Sequence, residues 1–136
     1  MKIIIPGVPV GKGRPKFSTF NGQAVAYTPQ KTVNYETLVK LAFQQSGETA
    51  FDKETQLRAE INAYFPIPKS ISKKKREQME RFLILPTKKP DTDNIAKAIL
   101  DALNGIAYYD DAQICELHVY KFYSSNPRAE VFLNDT

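Results

Sequence analysis

The segment Asp93–Gly105, DNIAKAILDALNG, constrains this chain more than any other stretch of it. Ile95, Ala98, Ile99, Ala102 and Leu103 recur at helical spacing, so the segment predicts a short amphipathic helix with that stripe in the core. Asn104-Gly105 closes it, because glycine takes the left-handed conformation that ends a helix. The opposite stripe carries Asp93, Lys97 and Asp101, one turn apart. Asp93 is expected to cap or begin the helix, with Asp91 in the loop just before it. One carboxylate is welcome at a helix N-terminus. A second acid, an approach through Lys88 and Lys89, and Lys97 one turn on point to a bound ligand.

Around that helix the pattern alternates between strands and helices. KIIIPGV is β-rich, and FSTF meets NGQAVAYT across Asn21-Gly22, a dipeptide that favours a tight hairpin. Thr28-Pro29 predicts a helix start, with Thr28 capping, Pro29 in the first helical position, and Val33, Leu38, Leu41 and Ala42 recurring until Gly47. In QLRAEINAYFPI, Leu57, Ala59, Ile61, Ala63 and Phe65 alternate on one face of a strand. SISKKKREQMERFL predicts a polar, basic helix capped by Ser70 or Ser72. IAYY, AQICELHVYKFYS and AEVFLND read as closing strands. The expected class is α+β: a small, mostly antiparallel or mixed sheet with two or three helices packed on one side. With 136 residues, positions 1–136 are expected to form one domain with a real core.

A single cysteine, Cys115, excludes an internal disulfide and a cysteine-based zinc site, and fits a reducing compartment. The apolar run after Lys2 is broken by Pro6, Gly7 and Pro9, so no signal peptide is expected there. No window approaches the roughly 18 apolar residues of a membrane span. A cytoplasmic location with no membrane partner is expected.

Charge is unevenly distributed. The chain carries +4 in total, yet Lys69–Pro90 alone holds eight basic and two acidic residues, a net +6. That basic block lies directly before the acidic helix start. Lys73, Lys74, Lys75 and Arg76 suit contact with a nucleic-acid backbone, as does the loop containing Lys88 and Lys89. The plainer reading of KKKRE is a solvated helix face. Near the N-terminus, VGKGRPKF approximates a phosphate loop, but Gly7 to Lys12 is one residue short and Gly13 stands where a Ser or Thr should bind Mg²⁺. No nucleotide cofactor is expected. Lys12, Arg14 and Lys16 then read either as a flexible basic loop touching DNA phosphates or as a solvated connection.

Asp110 and Asp111 follow the helix after the short IAYY segment, and a tight return would bring Asp111 near the helix start. Two unit charges about 4 Å apart repel by about 4 kcal/mol at an effective dielectric near 20. Meeting carboxylates therefore share a proton or bind a hard cation, and Mg²⁺ suits a few carboxylates with water and phosphate oxygens. Lys97 would then orient water or stabilise charge on a pentacovalent phosphate, with Asp101 positioning it. Each piece has a bland alternative: a helix cap with a solvated neighbour, a turn at Asp110-Asp111, a surface pair of Lys97 with Asp101. Cys115 alternates with Leu117 and Val119 and is expected in the core. Tyr108, Tyr109, Tyr120, Phe122 and Tyr123 read as sheet packing, and His118 as structural or exposed.

Together, KPDTDNIAKAILDALNG and YYDDAQI resemble the RusA family of Holliday junction resolvases. The pattern is D-x-D-N, a lysine four residues after the second Asp, D-A-L, then D-D-x-Q and an aliphatic residue. The resemblance covers Lys89 to about Val119, with weaker support from Gly11 to Phe17. It implies a small homodimeric endonuclease, dependent on Mg²⁺ with Mn²⁺ as a substitute, that cuts four-way junction DNA by paired symmetrical nicks. By matching position, Asp91, Asp93 and Asp111 would hold the metal, Lys97 would be the catalytic lysine, and Asp110 would be secondary. A junction has two-fold symmetry, so a two-fold dimer would present one site to each of two opposed strands. A flap- or fork-selective nuclease would use the same residues. A non-catalytic junction-binding module would leave the aspartates as caps.

Overall fold

The computed structural model describes every residue from Met1 to Thr136, in the order β1 (Lys2–Pro6), β2 (Lys16–Phe20), β3 (Gln23–Tyr27), α1 (Gln30–Ser46), β4 (Leu57–Pro66), α2 (Lys73–Glu80), α3 (Thr92–Leu103), β5 (Ile114–Ser124) and β6 (Arg128–Asp135). The class is α+β, with three helices and mixed strand pairing. β1, β6, β4 and β5 form one sheet in that spatial order, and β2 pairs only with β3. The β1–β6 and β6–β4 pairings are antiparallel, whereas β4 and β5 run parallel. A parallel pair needs a long crossover. Residues 67–113 supply it, and they carry α2 and α3.

Strand alternation builds the core. Leu57, Ala59, Ile61, Ala63 and Phe65 of β4 are all buried. Ala59, Ile61 and Ala63 lie opposite Leu133, Val131 and Ala129 of β6, and Ile3 and Ile5 of β1 extend the same face. Helices α1 and α3 cover that face and pack on each other. All five residues of the expected α3 stripe are buried, together with Ala96 and Leu100. Alanine at 96, 98 and 102 allows close approach of the helix backbone to its neighbours. The chain has no helix long and apolar enough to cross a membrane.

Several details differ from expectation. α1 begins after Pro29, which occupies the N-cap position without a side-chain cap, so Thr28 does not cap the helix. Its buried stripe is Thr32, Tyr35, Val39, Ala42 and Phe43, while Val33 and Leu41 face solvent. The aromatic and polar members of that stripe displaced the aliphatic pattern. IAYY is a turn, not a strand: the N–H groups of Ile106 and Ala107 donate to the Leu103 carbonyl and fold the chain back at the helix end. Tyr108 is buried beneath that turn and donates its hydroxyl to the Leu100 carbonyl, while Tyr109 is exposed.

Cys115 is exposed, not core. The register slips at the start of the β4–β5 ladder: Leu57 pairs with Ile114 and Arg58 with Glu116, which skips Cys115. Farther along β5, Phe122 stacks on Tyr64 of β4 and on Tyr120. Phe82, just beyond α2, joins that cluster. His118 is exposed beside Glu116.

Candidate active site

Helix α3 presents its chemistry on the face it does not bury. Asp91 is the N-cap residue by position, yet its side chain makes no cap hydrogen bond. Asp93 lies in the first turn, and Asp91, Asp93 and Lys97 are all exposed. Neither Asp93 nor Lys97 forms an ion pair. The capping role that would explain an acid at this position is therefore not exercised by Asp91. These side chains also contribute nothing to the core beneath them.

The loop before the hairpin is locked onto this helix end. The Lys12 N–H donates to the Asn94 carbonyl at 2.8 Å, and the Gly13 N–H donates to Thr32 Oγ1 at 3.0 Å. A Cβ at Gly11 would sit 2.6 Å from the Pro90 Cβ, so only glycine fits where the two chains cross. The Lys12 ammonium, expected to touch DNA, turns inward instead: it lies 2.9 Å from Glu36 and 3.4 Å from Asp101. Burial works to lower the Lys12 pKa, but the hydrogen bond and charge of Glu36, with help from Asp101, raise it overall. Asp101 thus pairs with Lys12 and ties α1 to α3, while Lys97 remains free.

Asp110 and Asp111 sit at the other end of α3. The Asp111 N–H donates to Asn104 Oδ1 at 3.0 Å, and Asn104 forms an isolated bridge with Tyr108. The tight return therefore stops at the C-terminal end of the helix. Since α3 has 12 residues, the two acidic pairs are separated along its axis by about 18 Å. No three carboxylate, imidazole or thiolate side chains of one chain come together closely enough to hold a metal ion. The adjoining Asp110 carboxyl, followed by burial, raises the Asp111 pKa, whereas the hydrogen bond from the Ala112 N–H lowers that of Asp110.

Gln113 shapes this acidic turn. Its Oε1 accepts from the N–H groups of Tyr109 and Asp110, and its Nε2 donates to the carbonyls of Asp52 and Thr55. The glutamine of the D-D-x-Q pattern is thus a clamp. Gln113→Ala should loosen the turn and lower stability by about 1–3 kcal/mol, since four backbone groups lose a partner. Urea titration measures that loss, and a midpoint equal to that of the parent chain would remove the clamp from the account.

The basic residues divide into three groups. Arg14 and Lys16 are exposed at the root of the hairpin. Lys73, Lys74 and Lys75 are exposed in the first turn of α2, after the Ser72 cap, with no acid among them. That is the positive end of the helix dipole, so three lysines there oppose the dipole and concentrate positive potential. Arg76 is half-buried and donates to the Pro68 carbonyl at 3.2 Å. Lys88 and Lys89 are exposed immediately before α3, and the Lys121 ammonium holds the Lys88 carbonyl.

Sequence reasoning alone did not assign roles to Gln113 or Gly11, gave Asn104 only the end of α3, and left Lys12 between a DNA contact and a solvated connection. The available signals were the glutamine at a fixed offset from two acids and a lysine flanked by glycines.

The exposed face of α3 thus carries Asp91, Asp93 and Lys97, bordered by the basic segments before it and around α2. The family described as endodeoxyribonuclease RusA matches residues 6–134. The chain is 41% identical over 138 residues to the Bacillus subtilis (strain 168) protein YqaN, covering 99% of this chain and 96% of that one. It is also 26% identical over 115 residues to the crossover junction endodeoxyribonuclease rusA of Lactococcus phage r1t, covering 84% and 80% of the two chains. The chain belongs to the RusA family of crossover junction endodeoxyribonucleases, the Holliday junction resolvases.

Proposed function

We propose that this protein resolves four-way DNA junctions as a homodimer, by paired symmetrical nicks that depend on Mg²⁺, in the cytoplasm. The observation carrying this reading is the exposed face of α3. Asp91 at the N-cap position makes no cap bond, and Asp93 and Lys97 form no ion pair. Charged groups held on a packed helix with no structural partner are positioned for a ligand.

The donor chemistry of Asp91, Asp93 and Asp111 suits a hard cation, because Mg²⁺ takes one or two carboxylates and fills its shell with water and phosphate oxygens. The number does not close within one chain, where three such groups do not meet. A second copy related by a two-fold axis, which would match the symmetry of the junction, would supply carboxylates from the opposite end of its own α3. When bound, the ion would supply Lewis acidity and a more acidic water. The chain's own residues would bind and orient the DNA. Lys97 would place an ammonium against the reacting phosphate, while Lys73–Arg76, Lys88, Lys89, Arg14 and Lys16 would hold the flanking backbone. Binding through so many lysines and arginines should weaken steeply with added salt.

The test is cleavage of an end-labelled synthetic four-way junction, with linear duplex and flap controls, in Mg²⁺, Mn²⁺ or EDTA. Symmetrical nicks confined to the junction and lost in EDTA are expected. Equal cutting of flaps would make this a broader structure-selective nuclease. Tight junction binding with no cutting in either metal would overturn the catalytic reading.

A further inference from the structure

The β2–β3 hairpin is the least explained part of the molecule. All ten of its residues are exposed, and its strands pair with nothing else. A two-stranded ribbon alone is at best marginally stable in water. This one nevertheless presents Phe17 at 72% exposure and Phe20 at 68%, with Val25 and Tyr27 also open to solvent. The ribbon has a defined tip. Asn21 and Gly22 both take positive φ, 51° and 77°, as the tight turn matching strand twist requires. Phe20 stands beside that turn, opposite Gln23.

Its position is as informative as its composition. The root is the Gly11–Gly13 segment, bonded to Asn94 and Thr32 and pressed against Pro90. The ribbon therefore springs from beside the α3 N-terminus that carries Asp91 and Asp93. Five residues per strand give it a length of about 17 Å. No acidic residue occurs before Glu36. Lys12 is occupied by Glu36 and Asp101, but Arg14 and Lys16 form no ion pair. The ribbon can thus approach phosphates with basic residues at its root and an uncharged aromatic tip. A partner with phosphate outside and flat apolar surfaces inside matches that order of chemistry.

We infer that the β2–β3 hairpin is a wedge that enters the branch point of a four-way junction and stacks Phe20 on a base exposed there. This rests on the junction reading given above. Duplex DNA offers no open base face, whereas the branch point interrupts stacking between arms. Aromatic side chains that insert at base steps pay for distortion through new stacking contacts, and stacking tolerates any sequence. The ribbon would thereby select the structure of the substrate, while α3 supplies the chemistry.

The test uses the full chain, in EDTA to prevent cutting, with a four-way junction carrying 2-aminopurine at the branch point and a duplex of matched sequence. The wild type is expected to prefer the junction and to change the branch-point fluorescence. Phe20→Ala should lose that fluorescence change and reduce the junction-over-duplex preference by about tenfold. Phe20→Tyr, which keeps the ring, should retain both. Since Phe20 lies outside the core, circular dichroism of the variants should match that of the wild type. Unchanged fluorescence response and preference in Phe20→Ala would overturn the wedge. So would a change confined to oligomeric state, which would make the ribbon a contact between copies. A wild type that binds junction and duplex alike would overturn the junction reading itself, a result obtained before any variant is compared.

Discussion

Asp91→Asn and Asp93→Asn should each abolish junction cleavage while leaving junction binding intact. Both side chains are exposed and outside every ion pair, so neither change should disturb packing. Asparagine occupies an N-cap as readily as aspartate, so α3 should keep its start after Asp91→Asn. Each change removes a negative charge from a surface meant to approach phosphate, which favours binding. It also replaces a carboxylate with a neutral amide, a weaker ligand for a hard cation. Loss of groups that merely orient metal ligands lowers affinity or activity by about 10–100-fold, so loss of a ligand should exceed that range. Single-turnover cleavage and gel-shift titration, done on the same preparations, separate the two effects. Cleavage at the parental rate in either variant would return that aspartate to the role of a solvated helix-end residue. Loss of junction binding with folding intact would make it part of the binding surface instead.

How much of this was legible in the sequence follows from the range of the interactions involved. The buried stripe of α3 and the alternation of β4 were readable because helical and strand periods are local. The Asn21-Gly22 turn was readable for the same reason. Cys115 was misplaced because a register slip between β4 and β5, set by residues some sixty positions apart, skips it. The α1 stripe was shifted because Thr32, Tyr35 and Phe43 face the core, and a pattern drawn from aliphatic residues does not register them. At the site, Asp91, Asp93 and Lys97 share one helix end, so their relation was visible from spacing. The location of Asp111 depended on how a turn folds after α3, and that turn is held by Asn104, Tyr108 and Gln113. The partner of Asp101 likewise came from a distant loop, as Lys12, instead of from Lys97 one turn away.

That exchange of partners makes Lys97 and Lys12 separable by experiment. Lys97→Ala should slow single-turnover cleavage at saturating Mg²⁺ by about 100–1000-fold, the range for removing one positioned group that stabilises transition-state charge. Its stability should be nearly parental, because the side chain is exposed and forms no ion pair. The Mg²⁺ concentration giving half-maximal rate should also stay near the parental value, since an ammonium is not a ligand. Lys12→Ala should behave in the opposite way. It strands Glu36 and Asp101 at the seam between α1 and α3, so its main effect should be a lower unfolding midpoint. An ammonium that bridges two helices acts on the fold; one that faces outward with no partner acts on what arrives there. An unchanged cleavage rate in Lys97→Ala would remove that lysine from the chemistry. A drop in its unfolding midpoint matching that of Lys12→Ala would show that its role, too, is to hold the helices together.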